Sequence, residues 1–346
     1  MIVMDNIRIL LKERPVTEPE LGHFMVETVE ACIPKDGEIL VSTIYLSVDP
    51  YMRGRMRDTD IFGKSYAPSL EIGDVIVGAV VGEVIESKDP HYKAGDIVET
   101  KLGWQTLAPI SANLARKITP SLAPISTALG ILGMPGLTAY HGLLDIGQAR
   151  AGDCVVISAA SGAVGAVAGQ IAKLKGCRVL GIAGSEEKCD YIVNDLDFNA
   201  AINHRKDDID SALTEHCQDG IDVYFDNVGG SILDTVMNHV RDGARIVICG
   251  MISEYNLTNP EVAVRPTRAL LNHSARMEGF VVSDFAELMD ESLAQMAKWV
   301  SSGQLKYRED IITGIENTPS AFIGLLRGDN FGKRIIQVRD NPFNDV

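Results

Sequence analysis

The stretch CVVISAASGAVGAVAGQIAKLKG, residues 154–176, places an apolar strand directly before a glycine-containing turn and an amphipathic helix. The turn has the spacing A-x-x-G-x-x-G, in which Ala159 stands where dinucleotide-binding folds usually have their first glycine. Gly162 allows the backbone to approach a pyrophosphate, and Gly165 allows the helix to pack closely on the strand. Unpaired N–H groups at the start of the helix attract the anion. The turn therefore predicts a dinucleotide site.

The rest of the chain has two different sequence patterns. After the glycine turn, the apolar strands RVLGIAG, AAIN, IDVYFDN, ARIVICG and RMEGFVV alternate with helical segments such as EEKCDYIVNDL and DFAELMDESLAQMAKWVSSG. This alternation predicts an α/β unit with a parallel sheet of six strands, covered on both faces. The first part of the chain has short β-like runs such as EILVSTIYLSV, and the tail strand GKRIIQVRD returns to that pattern. We expect a β-rich domain of residues 1–127, completed by residues 308–346, and a nucleotide domain of residues 128–307.

The end of the second predicted strand indicates which nucleotide is bound. In NAD-binding folds, an acidic residue about 20 positions after the turn accepts hydrogen bonds from the ribose hydroxyl. Here that place holds Gly184 and Ser185, and Lys188 follows one turn later. A carboxylate would repel a 2′-phosphate, whereas a lysine can bind it, unless Lys188 is only a solvated residue at a helix start. The strand therefore favours NADP(H).

Composition limits the other functions. The formal charge of −15 argues against an extended nucleic-acid surface, and no apolar run reaches the ~18 residues of a membrane span. The N-terminus lacks the pattern of a signal peptide, so we expect a cytoplasmic protein. The six cysteines form no C-x2-C pair, which favours buried free thiols over a zinc site or a disulfide framework.

Several motifs together resemble one family. They are SVDPYMRGRM, LGMPGLTAYHGL, SAASGAVG, GSEEK, FDNVGG, CGMISEY, EGFVV and GDNFGK, in this order over nearly the whole chain. The chain is similar to the zinc-independent medium-chain dehydrogenases/reductases. The resemblance is to the branch of leukotriene B4 dehydrogenase, prostaglandin reductase, curcumin reductase and alkenal double-bond reductases. It implies a GroES-like domain followed by a doubly wound Rossmann domain, with the active site between them.

The resemblance also implies the site residues. Those expected at the pyrophosphate are Gly162, Ala163, Val164 and Gly165. Ser185 and Lys188 would hold the 2′-phosphate. The ribose and nicotinamide would lie against Asn227 and the segment 249–255, which contains Cys249, Gly250, Met251, Ile252, Ser253 and Tyr255. Other expected contacts of the nicotinamide end are Thr138, Phe280, Val281, Val282 and Asn330.

One position departs from the family. The family usually has a tyrosine in a short I-N-Y-K stretch near the 2′-phosphate, whereas this chain reads AINHRK. His204 takes the place of the tyrosine and could donate a hydrogen bond to the phosphate, more strongly when protonated. It could equally be a surface histidine, with Arg205 as the compensating cation.

The chemistry expected is metal-independent. SVDPYMRGRM offers no cysteine, and the only histidines before residue 140 are His23 and His91, so a catalytic zinc site is not predicted. Reduction of a C=C bond conjugated to a carbonyl needs no Lewis acid, because a hydroxyl group can stabilise the enolate oxygen. Tyr51 and Tyr255 are the candidate donors, and the cofactor's ribose hydroxyl is the alternative.

We therefore expect an NADPH-dependent enone or alkenal reductase that acts on a small α,β-unsaturated carbonyl compound. Two alternatives remain at this point. One is an NADPH:quinone oxidoreductase of the same superfamily, and the other is a non-catalytic NADPH-binding redox sensor. The apolar run EGFVV also predicts a homodimer joined through the edges of the two Rossmann sheets.

Overall fold

The computed structural model describes residues 4–57, 65–259 and 267–343. Two large sheets organise these residues, a parallel sheet built from the middle of the chain and a mixed sheet built from its first and last parts. No helix in the described ranges is long and apolar enough to span a bilayer.

The parallel sheet has the strand order β10-β9-β8-β11-β12-β13. Its strands are β8 (Cys154–Ser158), β9 (Arg178–Ala183), β10 (Ala200–Asn203), β11 (Ile221–Asp226), β12 (Val240–Ile248) and β13 (Arg276–Gly279). The order reverses between β8 and β11, and in such sheets ligands bind outside the carboxyl ends of the strands at that point. The expected six-stranded parallel sheet is confirmed.

Helices cover both faces of this sheet, as predicted from the alternating pattern. They are α2 (Met134–His141), α3 (Gly165–Leu174), α4 (Glu186–Asn194), α5 (Ile209–His216), α6 (Gly230–Val236), α7 (Arg268–Asn272) and α8 (Met289–Ser301). A π-helical turn, Gly142–Ile146, extends α2. Val155 and Ile157 face one apolar core and Val156 faces the other, because successive side chains of a strand point to opposite faces. Both faces are thus buried, which explains the continuous apolar runs of these strands.

The mixed sheet has the order β14-β15-β3-β4-β5-β7, and β6 also pairs with β3. Its strands are β3 (Glu38–Ser47), β4 (Val80–Ser87), β5 (Ile97–Thr100), β6 (Leu107–Ser111), β7 (Ala115–Ile118), β14 (Glu309–Thr313) and β15 (Lys333–Gln337). A separate hairpin joins β1 (Asp5–Leu11) and β2 (Phe24–Glu30), and the helices here are α1 (Met52–Arg55) and α9 (Thr318–Leu326). The tail strand β15 pairs with β3, as expected for a tail that rejoins the first part of the chain. The domain boundaries themselves stay a prediction.

Two predicted elements differ from the structure. The sixth strand ends at Gly279, so Phe280 and the two valines after it lie beyond the sheet. The single long helix expected near residues 284–303 is a 3-10 helix, Val282–Leu288, followed by α8. Phe285 has non-helical φ and ψ of −107° and 22°, and its ring stacks on His141 at 4.4 Å. The helical geometry is therefore interrupted at Phe285, before α8 begins.

Candidate active site

The predicted cofactor residues gather at one edge of the parallel sheet. The glycine turn follows β8, Ser185 and Lys188 follow β9, and His204 follows β10. Asn227 follows β11, and the segment 249–255 follows β12. Parallel strands bring their carboxyl ends to the same edge, so five separate pieces of sequence form one surface.

The glycine turn is closely packed against the strand before it. A Cβ atom at Gly165 would lie 2.5 Å from the carbonyl oxygen of Ala159, and one at Gly162 would lie 3.2 Å from it. Ala159 itself has a positive φ of 48°. A side chain at Gly165 would therefore push α3 away from β8, while the bare backbone at Gly162 leaves space for an anion. The arrangement fits the pyrophosphate cradle predicted from the sequence.

The loop GDNFGK closes against this turn. Gly162 and Gly332 form an isolated parallel bridge, and the Asn330 side-chain amide donates to the Gly332 carbonyl at 2.8 Å. Gly332 has a φ of 84°, and a Cβ there would lie 2.2 Å from the Arg308 carbonyl oxygen. Asn330 therefore orders the loop that lies beside the cradle.

Two basic side chains lie beside Gly184, and a third is close to one of them. A Cβ at Gly184 would lie 3.1 Å from His204 Nε2 and 3.6 Å from Arg205 Nε. The charge of Arg205 contributes to lowering the pKa of Lys188, after burial, so these two cations are also neighbours. Gly184 thus provides the space, Lys188 and Arg205 provide positive charge, and His204 provides an imidazole nitrogen, which together suit a 2′-phosphate. We call Lys188, His204 and Arg205 the basic cluster.

The basic cluster also contacts the C-terminal part of the chain. Lys188 Nζ donates to the Gly328 carbonyl at 2.6 Å, and Arg205 Nη2 donates to the Arg327 carbonyl at 3.1 Å. Ser185 caps α4, because its hydroxyl oxygen accepts from the Lys188 backbone N–H at 3.3 Å. The Ser185 hydroxyl keeps its own proton to donate to a ligand.

Asn227 is held by a buried network that sequence reasoning missed. Its backbone N–H donates to Ser158 Oγ and its side-chain amide donates to the Ser158 carbonyl, both at 2.8 Å. The Asp226 carboxylate accepts from the hydroxyls of Ser158 and Tyr224, and from the backbone of the VGG turn that follows it. Burial raises the pKa of Asp226. This carboxylate is fully buried and ties the end of β11 to the end of β8.

The segment 249–255 is anchored to the same turn. The backbone N–H groups of Cys249 and Gly250 donate to the Asp226 carbonyl at 2.9 and 3.1 Å. The Tyr255 hydroxyl oxygen accepts weakly from the Met251 N–H at 3.5 Å, which brings the phenol back over the start of the segment. Ser253 Oγ donates to the Val228 carbonyl at 2.6 Å, so its hydroxyl is used structurally. Ile252 lies in the same short helical turn.

The two predicted donors, Tyr51 and Tyr255, are both influenced by a third tyrosine, Tyr66. Burial raises the pKa of Tyr255 to about 12, and Tyr66 contributes to that shift. The pKa of Tyr51 is raised well above its usual value by burial and then by Asp49 and Tyr66. Tyr66 therefore acts electrostatically on both predicted donors, and it is 71 % exposed. Sequence reasoning missed Tyr66, because only the folded chain brings it to the other two tyrosines.

Two arginines, Arg53 of SVDPYMRGRM and Arg57 directly after this motif, hold the Tyr255 loop in place. Arg53 is fully buried, and its Nε donates to Asn256 Oδ1 at 2.9 Å. Arg57 Nη2 donates to the backbone carbonyls of Tyr255 and Leu257. Burial, and then the charge of Arg57, lower the pKa of Arg53 to about 10. The motif thus connects the β-rich part of the chain to the loop that carries a candidate donor.

A buried ion pair fixes the other end of that motif. Lys333 Nζ lies 2.7 Å from Asp49 Oδ1, and the two side chains are only 4 % and 7 % exposed. Lys333 also donates to the Val48 carbonyl at 2.9 Å, and the Ser47 hydroxyl donates to Asp49. The pair therefore connects GDNFGK, beside the glycine turn, to the segment that carries Tyr51.

The contacts of the remaining predicted residues are mainly with neighbouring elements of the fold. The Phe280 ring packs against the π-helical turn, where a Cβ at Gly142 would lie 2.6 Å from its Cζ atom. Its side chain is thus part of the apolar core, and its backbone stays at the end of β13. Val281 donates through its backbone N–H to Asp284 at 3.0 Å, and Val282 begins the 3-10 helix. Thr138 is half-buried in α2 and donates to the Met134 carbonyl at 2.7 Å.

The described residues contain no group of three or more His, Cys, Asp or Glu side chains arranged to hold a metal ion. All six cysteines are free, as expected, but they are not uniformly buried. Cys177 and Cys217 are buried, Cys32 is exposed, and Cys154 and Cys249 are half-buried.

Comparison with known proteins gives a consistent result. A model for the N-terminal domain of oxidoreductases matches residues 8–118, and one for zinc-binding dehydrogenases matches residues 163–302. The chain is 43% identical to the NADPH-dependent curcumin reductase of Escherichia coli, over 96% of this chain and 97% of that protein. It is 38% identical to the NADP(+)-dependent 2-alkenal reductase of Nicotiana tabacum, over 97% and 98% of the two chains. The crystal structure of CurA from Vibrio vulnificus in complex with NADPH superposes with a TM-score of 0.91, at 43% identity, covering 97% of this chain and 100% of that one.

Proposed function

Because the chain belongs to the medium-chain dehydrogenase/reductase family, in the branch of curcumin, prostaglandin and 2-alkenal reductases, we propose that it is an NADPH-dependent enone or alkenal reductase. The observation that carries this proposal is the arrangement at the sheet edge. A glycine turn with room for a phosphate and a basic cluster without a carboxylate at Gly184 and Ser185 lie at this edge, and Tyr255 lies in the segment that follows β12 at the same edge.

The residues present fit NADPH. The bare backbone at Gly162 would accept the pyrophosphate, and the basic cluster with Ser185 would hold the 2′-phosphate. Asn227 and the segment 249–255 would hold the ribose and the nicotinamide. When bound there, NADPH supplies a hydride to the β-carbon of the substrate.

The chain's own contribution is to position the substrate and stabilise negative charge. A tyrosine with a pKa of about 12, such as Tyr255, stays protonated at physiological pH and can donate a hydrogen bond to the carbonyl oxygen. Tyr51 has the same property, because burial raises its pKa as well. The oxygen becomes an enolate as the β-carbon receives the hydride, and the α-carbon then takes a proton from water or a tyrosine. An isolated alkene offers no oxygen to carry this charge and is expected to be inert.

The test is a substrate panel with labelled cofactor. NADPH oxidation is measured with an enone, an enal, a quinone and an isolated alkene, and the products are analysed by mass spectrometry and NMR. We expect deuteride from labelled NADPH at the β-carbon of the enone and solvent deuterium at the α-carbon. An allylic alcohol with its double bond intact would contradict the proposal.

The same panel separates the alternatives that the sequence left open. A quinone reductase would oxidise NADPH with the quinone and leave the enone unchanged. A redox sensor would bind NADPH with no turnover of any member of the panel. The 38% and 43% identity to alkenal and curcumin reductases over nearly the whole chain favours the alkene substrate.

We also propose a homodimer. Strand β13 is the edge of the parallel sheet, and Met277 on it is 38 % exposed. Pairing two such edges around a two-fold axis would extend the sheet and cover the exposed strand. Light scattering at micromolar concentration should give about twice the 37.4 kDa mass of the chain. A monomer would contradict this assembly.

The predicted cytoplasmic location is a separate proposal, and cell fractionation would test it.

A further inference from the structure

We propose that His204 makes binding of the 2′-phosphate proton-coupled, so that the protein takes up a proton at this imidazole when NADP(H) binds. The inference rests on the proposed cofactor and concerns how affinity at that site is regulated. It predicts that the preference for NADP(H) over NAD(H) increases as the pH falls towards the range in which the imidazole titrates.

The position of the imidazole carries the argument. His204 Nε2 is 3.1 Å from the place where a Gly184 side chain would begin, and Arg205 Nε is 3.6 Å from the same place. Gly184 is the residue at which an acidic ribose ligand would be expected in an NAD-binding site. The His204 backbone N–H donates to the Ala183 carbonyl at 3.0 Å, so the backbone beside the ring is fixed at the sheet edge. A group in this space meets an imidazole nitrogen and a guanidinium together.

In the free protein, the surroundings of His204 lower its pKa and so favour the neutral imidazole. Partial desolvation of the ring is the largest cause that lowers its pKa, and the charges of Arg205 and Lys188 lower the pKa further. The other charged groups near this cluster act through Lys188, and they are Asp329, Arg334 and Asp310 from the C-terminal part of the chain. Lys206 and Glu186 form an ion pair at the surface beside it. Arg205 and Lys188 therefore oppose protonation of the ring as long as no anion is bound between them.

A bound 2′-phosphate reverses this balance. A phosphate monoester carries a charge of about −1.5 to −2 at pH 7, which offsets the repulsion from the two neighbouring cations, and its oxygens accept a hydrogen bond from the protonated ring, so the complex favours the imidazolium. The pKa of His204 is then higher in the complex than in the free protein. Between these two values binding takes up a proton, so affinity for NADP(H) rises as the pH falls through this window. Below the window both forms are protonated, and the pH dependence from this group disappears.

Proton uptake is measured directly by titration calorimetry. NADP+ and NAD+, which differ only in the 2′-phosphate, are each titrated in two buffers of different ionisation enthalpy, at several pH values from about 6 to 8.5. For NADP+ we expect an uptake that approaches one proton at its maximum and an affinity that rises up to about ten-fold per pH unit. For NAD+ we expect neither effect.

Two histidine variants test whether the proton is at His204. In His204→Gln a neutral amide replaces the imidazole, so the uptake due to this group and the corresponding rise of NADP+ affinity at lower pH should disappear, leaving only the titration of the 2′-phosphate. The matched control is His91→Gln, at an 83 % exposed histidine in the β-rich part of the chain, which should keep the wild-type uptake. The 2′-phosphate itself titrates near pH 6 in every variant, so the difference between variants isolates the histidine.

The outcomes separate this inference from the proposed cofactor. Unchanged uptake in His204→Gln, or none in the wild type, would overturn the proton coupling while tight NADP+ binding would leave the cofactor assignment intact. Failure of NADP+ to bind would overturn both. If His204→Gln does not fold, NMR titration of the wild-type imidazole with and without NADP+ decides the question, and an upward pKa shift on binding is the supporting result.

Discussion

The two halves of the candidate site are built in different ways. The cofactor half consists of the ends of five neighbouring parallel strands, and its main features are backbone turns and short motifs at fixed spacing. The proposed substrate half consists of Tyr51 and Tyr66, which lie between β3 and β4, and Tyr255, which lies after β12, and side chains from distant parts of the chain hold the segments around Tyr51 and Tyr255. Arg53 contacts Asn256 across 203 positions of sequence, and Lys333 contacts Asp49 across 284.

This difference means that the fold by itself provides the anion site but does not fix the positions of the tyrosines. A parallel sheet with a strand–turn–helix unit creates an anion site wherever its carboxyl edge is open. The positions of the tyrosines depend instead on a few buried polar contacts. Substitutions should therefore affect the two halves separately, and the following predictions test this, from the largest expected effect to the smallest.

Removing Lys333 should give the largest effect. Lys333→Met leaves the Asp49 carboxylate buried without its partner, which costs about 3–5 kcal/mol in the free energy of unfolding. The measurement is chemical denaturation followed by fluorescence. Asp49→Leu combined with Lys333→Met removes both charges and should recover most of the loss. The matched control is Lys117→Met, whose ion pair with Asp96 is at the surface, and its loss should be about 1 kcal/mol or less. If Lys333→Met lost as little stability as Lys117→Met, the buried ion pair would not be what stabilises this half of the site.

Replacing a tyrosine hydroxyl should affect turnover alone. If Tyr255 donates to the enolate oxygen, Tyr255→Phe should lower kcat about 10²-fold with an unchanged Kd for NADPH. Tyr51→Phe tests the second donor in the same way, and Tyr66→Phe tests the residue that the structure adds. Tyr92→Phe is the control, because its hydroxyl donates to the Ala115 carbonyl in the β-rich part of the chain. A small loss in all three cleft variants would point to the cofactor's ribose hydroxyl, and a weaker Kd for NADPH would break the separation between the halves.

The same contrast explains what could be predicted from the sequence. The strands β8 to β12 and the turn at Gly162 follow from local periodicity and spacing, which survive in any arrangement of the rest of the chain. The end of β13 could not be read from EGFVV, because Phe280 leaves the sheet to fill the space over Gly142, a contact made across the fold. The roles of Arg53 and Arg57 were hidden for the same reason, although Arg53 stands in the recognised motif SVDPYMRGRM and Arg57 directly follows it.

Lys188 tests the cofactor half with a smaller effect. Its ammonium is half-buried beside Arg205, and a charge-assisted contact to a 2′-phosphate contributes roughly 1.5–3 kcal/mol. Lys188→Ala should therefore weaken NADPH at least about ten-fold more than NADH. NADH is the internal control for the lost bond to the Gly328 carbonyl, since both cofactors experience that loss. Lys206→Ala, at an exposed lysine paired with Glu186, should change the ratio little. Equal weakening of NADPH and NADH binding would mean that Lys188 only joins two parts of the chain and does not contact the 2′-phosphate.

Chelation should have no effect on activity. The region that carries Tyr51 offers hydroxyl and guanidinium groups, and a conjugated carbonyl moves the charge from the hydride onto an oxygen that a single hydroxyl donor can stabilise. Neither half of the site as proposed therefore requires a Lewis acid. Prolonged dialysis against a strong chelator should leave kcat and the Kd for NADPH unchanged, and elemental analysis should find no stoichiometric zinc. The control is an alcohol dehydrogenase with catalytic zinc, which should lose activity under the same dialysis. A loss of kcat that added zinc restores, with cofactor affinity unchanged, would place a metal in the substrate half and overturn the tyrosine-based chemistry.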